Sequence, residues 1–232
     1  MNIHSAAIAA LLVAGAVQAQ TVIEPPTHGY PITLSQPGSY RLDSSLIVPA
    51  GFDGIVVAPG IDVTIDFNGY AISGPAACAK DRPCYLPGGT AGVRAGSGSS
   101  VHLHGGTVRG FSQMGVGSMS SSASLQLEDM RLSGNAYGVY ASRLTARRVQ
   151  AEDNALSGIV GREGSVAQSL AMNNGDSGID VLAGSVVGNQ AYLNASAGMH
   201  LGSGVASARN SAMANQPNYR SAGVAAAGNA SF

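Results

Sequence analysis

The chain has 232 residues, 45% of them hydrophobic, which suffices for one sizeable core and demands no second domain. Twelve Lys and Arg against thirteen Asp and Glu leave a net charge of −1, which argues against a nucleic-acid binder, since that needs a clustered positive field to displace counterions. Thirty-two Gly, no Trp and 11% charged residues argue against a helical bundle and favour short strands joined by many turns.

In chain order, residues 1–19 stand apart. Ala6 to Val17 is an unbroken run of apolar and small residues closing on Val17-Gln18-Ala19, the small-x-small spacing of a signal-peptidase site. The run is too short to span a bilayer and no Cys follows it to carry a lipid. A signal peptide over 1–19 and a periplasmic or secreted product over 20–232, without a membrane span, are therefore expected. The Pro-rich stretch 75–89 reads as an inserted loop and holds both cysteines, Cys78 and Cys84. In an oxidising compartment these predict a local disulfide that pins the loop.

From the loop onward a mark recurs. Gly followed by an aliphatic residue occurs at Gly92, Gly115, Gly138, Gly158, Gly178, Gly198 and Gly223, with gaps of 23, 23, 20, 20, 20 and 25 residues. Such a period marks a solenoid whose units bury their apolar faces only by stacking on neighbours. The L-x-x-L-x-L line of leucine-rich repeats is absent, so a parallel β-helix is left. Alternation predicts Val139, Ala141, Ile179, Val181, Met199 and Leu201 inward, with Tyr140, Asp180 and His200 outward. Asn154, Asn174 and Asn194 each precede their Gly by four residues. They should form a structural ladder at one bend, each Asn accepting a left-handed backbone and bonding the next through its amide. Asn135 and Asn215 mark drift of the register at the two ends.

The stretch "GSYRLDSSLIVPAGFDGIVVAPGIDVTIDFNGYAISGP" and the later Gly-aliphatic units resemble the right-handed parallel β-helix proteins of pectate-lyase-like architecture, secreted bacterial type. The resemblance runs from about Pro31 to the end and implies an all-β solenoid, of about eight coils on the repeat count. It implies no single activity, because the family spans lyases, hydrolases, epimerases, adhesins and members without an assigned role, and fold does not imply function.

Several motifs invite chemistry. The "GDSG" at 175–178 copies a serine-protease tetrapeptide, but Ser177 falls at the repeating bend and is turn material. His102 and His104 alternate with inward Val101 and Leu103, which puts both imidazoles on a solvated face with Glu128 and Arg147 stacked nearby. They lack a predictable third ligand, so no metal is assigned, and no cofactor is expected. Asp66 and Asn68 shape a first-coil turn. Arg143, Arg147 and Arg148 lie close in sequence to Glu152 and Asp153 and should form a self-compensated charged rim.

The sharpest constellation is the outward column Arg94, Gly117, Tyr140, Val160, Asp180, His200 and Ala225. Tyr140 suits stacking on a sugar ring and Arg94 a carboxylate fork, with Asp180 and His200 adjacent. Asp180 has no acidic partner on that column, as glycoside hydrolysis would require. The calcium that the enzymes of the resembling family hold with several acidic side chains has no matching cluster. The expectation is a protein that binds extracellular or cell-surface polysaccharide without catalysis. A lyase or C5 epimerase acting on an acidic glycan is one alternative, and a purely structural surface protein another. The small-residue C-terminus, ending at Phe232, is a frayed coil or cap, and oligomers through the coil ends are open.

Overall fold

The computed structural model describes residues 20–85, 88–221 and 228–231. The proposed signal peptide, Gly223, Val224, Ala225 and Phe232 lie outside the described residues. The described chain is a parallel β-helix of about ten turns, two more than the repeat count gave. The additional turns lie at the N-terminal end, where Thr21–Leu42 pairs into the stack without carrying the Gly-aliphatic mark.

Three faces run the length of the stack, and every named strand pair is parallel. On the first, Ile32, Ile55, Val93, Val116, Val139, Ile159, Ile179, Met199 and Tyr219 sit in successive register. On the second the buried line runs Tyr40, Ile65, Leu103, Leu127, Ala146, Val166. On the third it runs Leu46, Ile72, Val108, Leu132, Ala151, Ala171, Ala191, Ala212. This last line shrinks from branched aliphatics to alanine where the period shortens from 23 to 20, so a narrower coil is filled by smaller side chains at unchanged packing density. The parallel pairing needs no separate crossover because each coil returns the chain one rung higher.

The corners are where the Asn residues act. Asn135, Asn154, Asn174, Asn194 and Asn215 stack in one buried ladder. Each of the middle three Oδ1 atoms accepts from both the backbone N–H and the Nδ2 of the Asn one coil earlier. Each Nδ2 also donates to a carbonyl, such as Leu132, Ala151 or Ala171. A buried amide costs free energy unless all its groups are paired, and here they are. The left-handed residue is not the Asn, as expected from the sequence, but the one before it: Gly134, Asp153, Asn173, Leu193 and Ala214 have φ of 62°, 53°, 52°, 55° and 55°. That twist turns the next side chain inward. Asn135 and Asn215 belong to the ladder, so the register does not drift at these positions.

A Cβ at Gly158 would come within 2.8 Å of both Asn174 Nδ2 and Gly178 O, so the ladder and the glycine column require each other. The repeat is also more regular than its glycines suggest. Tyr219 pairs with Met199, and Asn218 stands where the next glycine would be, so the last described rung begins five residues before Gly223.

A second ladder, which the Gly-aliphatic spacing does not reveal, lies at the corner between the second and third faces. Asn189 donates from Nδ2 to Asn210 Oδ1, and Asn210 to Asn229 Oδ1. It follows another left-handed column, from Gly105 through Asp129, Arg148, Gln168, Gly188 and Arg209.

Cys78 and Cys84 form the expected disulfide within the 75–89 loop. Asp66 accepts from the Asn68 N–H at 2.7 Å, and Asn68 is left-handed with φ 51°, as the first-coil turn requires. The charged rim is rearranged relative to expectation. Parallel stacking sets Arg147 against Glu128, and Arg148 bridges Glu128 and Asp129, while Glu152 pairs with Arg131 one coil below. Neighbours across rungs, not along the chain, choose the ion pairs.

Candidate functional site

The outward column exists in the expected register. Arg94 pairs with Gly117, Gly117 with Tyr140, Tyr140 with Val160, Val160 with Asp180 and Asp180 with His200. The next outward residue is Arg220, because the final rung begins at Tyr219.

Only part of this column shares a site. Arg94 sits at the other end of the column and is already engaged. Its Nε and Nη2 grip the Asp53 carboxylate at 2.6 and 2.9 Å, Nη1 donates to Gln113 Oε1 at 2.9 Å, and Nη2 donates to Gly89 O at 2.8 Å. Asp53 also accepts the Ala91 N–H at 2.7 Å. This cluster fastens the end of the inserted loop to the stack.

Tyr140 and Asp180 share a groove of about 210 Å³ lined by Tyr137, Tyr140, Ser157, Val160, Gly161, Arg162, Asp176, Asp180 and Leu182, with His200 one rung beyond. Its shape follows from side-chain size. Tyr140 and Asp180 stand two rungs apart, about 9.6 Å by strand spacing, with only Val160 and Gly161 as the floor between them. Tyr137 comes from the same strand as Tyr140, with ring centroids 5.3 Å apart. Tyr85 reaches in from the disulfide loop and meets Tyr137 edge-on at 5.9 Å. The loop thus touches one lining residue of the groove, Tyr137.

Asp176 enters from the bend before the strand and accepts a 3.3 Å hydrogen bond from Ser157 Oγ. Asp180 thus has an acidic companion after all, supplied by the bend and not by the column. Tyr137, Arg162 and Asp176, with Tyr85 beside them, were not singled out from the sequence, because they lie off the one-per-rung column: Tyr137 at a strand start, Arg162 two residues past Val160, Asp176 on a bend and Tyr85 on the loop. Ser177 beside Asp176 is buried at the repeating bend.

Burial, assisted by Tyr85, Tyr140, Asp176 and Asp180, holds the Tyr137 hydroxyl above its ordinary value, so it remains a neutral donor at neutral pH. His200 Nδ1 lies 3.1 Å from Asp180 Oδ1, yet off the line of a hydrogen bond. Among the described residues no donor is aligned on that oxygen, although it is shut off from solvent.

Two of the larger hollows carry less chemistry. One, of about 510 Å³, lies beneath the loop among Ala50, Pro75, Ala76 and glycines. Another, of about 450 Å³, contains Asp129, Arg131 and Arg148, whose charges are already paired with one another and with Glu152. On the second face, His102 and His104 stack with centroids 5.4 Å apart. His102 Nε2 is shielded and lacks a hydrogen bond partner among the described residues, so this ring is less solvated than alternation implied. Among the described residues no three His, Cys, Asp or Glu converge as a metal's ligand set. No described helix is long and apolar enough to cross a membrane.

No family model matches the chain, and no curated protein matches it. Among solved structures, that of Dettilon tailspike protein aligns with a TM-score of 0.54 at 14% identity, over 84% of this chain and 42% of that one. The chain spans less than half the length of this structural relative. The likeness concerns the β-helix fold.

Proposed function

We propose that this protein binds extracellular or cell-surface polysaccharide in the groove lined by Tyr137 and Tyr140, with Tyr85 beside it, without transforming it. The observation that carries the reading is the succession of three tyrosine rings, 5.9 and 5.3 Å apart, beside Asp176 and Asp180. Aromatic faces cover the apolar faces of sugar rings while carboxylates accept their hydroxyls, and the Tyr hydroxyls add a polar edge. Export to the periplasm or beyond is part of the proposal, and the disulfide supports it, since such bridges persist in oxidising compartments.

The test is a glycan array probed with the native protein and with Tyr140→Ala. Binding that falls about tenfold in the variant supports the groove, as one well-stacked aromatic contributes on the order of 1 kcal/mol or more. A blank array removes the proposal and leaves a structural surface protein. Two assays on any bound polymer separate binding from chemistry. Ultraviolet absorbance from unsaturated ends reports a lyase, and new reducing ends report hydrolysis by the Asp176 and Asp180 pair.

A further inference from the structure

We infer that the groove takes an uncharged stretch of glycan laid along the 157–162 rung, across the axis of the stack, its hydroxyls donating to Asp176 and accepting from Arg162. This rests on the polysaccharide-binding reading and specifies the class and the course of its ligand.

The course follows from which rung supplies each side of the groove. Tyr140, Val160 and Asp180 are register partners on three successive rungs. Val160 and Gly161 form the floor, Tyr137 and Tyr140 stand on one neighbouring rung, and Asp176, Asp180 and Leu182 on the other. At about 4.8 Å between strands, the two walls are about 9.6 Å apart and run parallel to the strands. A glycan following the axis would have to climb over the Tyr140 ring on one side and the Asp180 and His200 pair on the other. One following the floor rung passes between them. It meets Asp176 at the bend and Arg162, two residues past Val160, at the far end, and both of these side chains are exposed.

The class follows from the charges that remain open. Arg94 directs four of its five N–H donors into Asp53, Gln113 and Gly89, outside this groove. Asp180 is answered within the fold, since its Oδ1 is shut off from solvent with His200 Nδ1 3.1 Å away. A ligand therefore meets one open carboxylate, Asp176, and one open guanidinium, Arg162. Asp176 accepts a single 3.3 Å bond from Ser157, which leaves it acceptor capacity, and the Arg162 guanidinium has no partner among the described residues. A uniformly anionic chain gains at Arg162 what it loses at Asp176, a cationic chain the reverse, and both surrender hydration on entering. A sugar hydroxyl both donates and accepts, so an uncharged glycan satisfies the two ends together without that cost. Charge-assisted hydrogen bonds at the ends and the Tyr137 and Tyr140 rings along one wall supply the attraction.

The experiment compares, by calorimetry, three β-1,4-linked hexasaccharides that share a backbone and differ in one substituent: those of glucose, glucosamine and glucuronate. The pH is set where titration of the free oligomers shows the amines protonated and the carboxyls ionised. The glucose hexamer is expected to bind about tenfold tighter than either charged one. Its affinity should change less than about twofold between about 50 and about 500 mM salt. Arg162→Ala and Asp176→Ala should each weaken the glucose hexamer about fivefold. Arg220→Ala, at an exposed position further along the axis in the same outward column, should leave it unchanged.

A charged hexamer that binds as tightly as the glucose hexamer, or more tightly, overturns the inference while glycan binding stands. Unchanged affinity in Arg162→Ala or Asp176→Ala also overturns it. So does a loss in Arg220→Ala that equals or exceeds the loss in Arg162→Ala, because the glycan would then follow the axis. If none of the three hexamers binds, the glycans held on the array decide: charged ones overturn the inference, and uncharged ones weakened by Arg162→Ala support it. A blank array takes the proposed function with it.

Discussion

Lys80 Nζ donates a 2.8 Å hydrogen bond to the backbone carbonyl of Leu193, 113 residues further along the chain. A loop inserted early in the stack thus reaches the coils that carry Asp176 and Asp180. Gly175 lies under this arm, and a Cβ there would meet the Ala155 carbonyl oxygen at 2.0 Å first and the Lys80 Cα at 3.3 Å. Tyr85, one residue beyond Cys84 on the same loop, stands edge-on against Tyr137. The disulfide is therefore placed to organise the groove as well as the loop.

Opening the disulfide should weaken binding without unfolding the stack. In Cys78→Ser/Cys84→Ser, glycan affinity is expected to fall about fivefold, the cost of ordering a released loop on binding. The urea midpoint should stay near that of the native protein, because the loop opens locally while the coils remain paired. Unchanged affinity in the double variant would detach Tyr85 from the groove.

Removing one ladder rung should destabilise the coils on both sides of it. Asn174→Ala deprives the Asn154 N–H and Nδ2 of their shared acceptor, Asn174 Oδ1, and leaves both donors buried. At roughly 1–3 kcal/mol for each unsatisfied buried group, a loss of about 3 kcal/mol is expected in urea unfolding. Asn189→Ala in the second ladder should cost a comparable amount, since it removes the acceptor of the Ser169 N–H together with bonds to Val166 and Asn210. Hydrogen exchange should show the loss concentrated in adjoining coils, as nearest-neighbour stacking dictates. Full-strength protection in either variant would contradict the ladder as a stabilising element.

His102 should make the fold acid-sensitive. Burial, followed by repulsion from His104, lowers its pKa below the ordinary 6.5, while Glu128 pulls the other way. The unfolded chain then binds more protons than the folded one between the folded value and 6.5, so stability falls as pH drops through that window and is fully present above it. Around the ring stand Asp66 beside His104, and Glu128 with Arg147 and Arg148. Urea midpoints at pH 7.5 and pH 5.5 should differ less in His102→Gln than in the native protein. An identical difference in both would remove His102 as the cause.

The repeat shows how far local pattern reaches. A Gly-aliphatic mark every 20 or 23 residues, with alternation around it, specifies parallel coils, because only stacking at constant register buries Val139, Ile159, Ile179 and Met199 together. The same argument places Tyr140, Asp180 and His200 in one outward column and Asn154, Asn174 and Asn194 at one corner. Coils without that mark go undercounted, as the N-terminal turns do. The second Asn ladder escapes because its members, Asn189, Asn210 and Asn229, stand at no fixed step from the Gly-aliphatic mark.

Periodicity in the amino-acid sequence thus determined the architecture, the inward and outward sides of each strand, and the order of residues along each column. Tertiary structure alone decided which neighbours a column residue meets. Arg94 is spent on Asp53 and Gln113, Tyr85 meets Tyr137 from a loop, and Asp176 enters the groove from a bend. The reason is physical. Stacking energy repeats with the chain and leaves a periodic trace, whereas a contact between a loop and a distant coil depends on where both lie in space and leaves none.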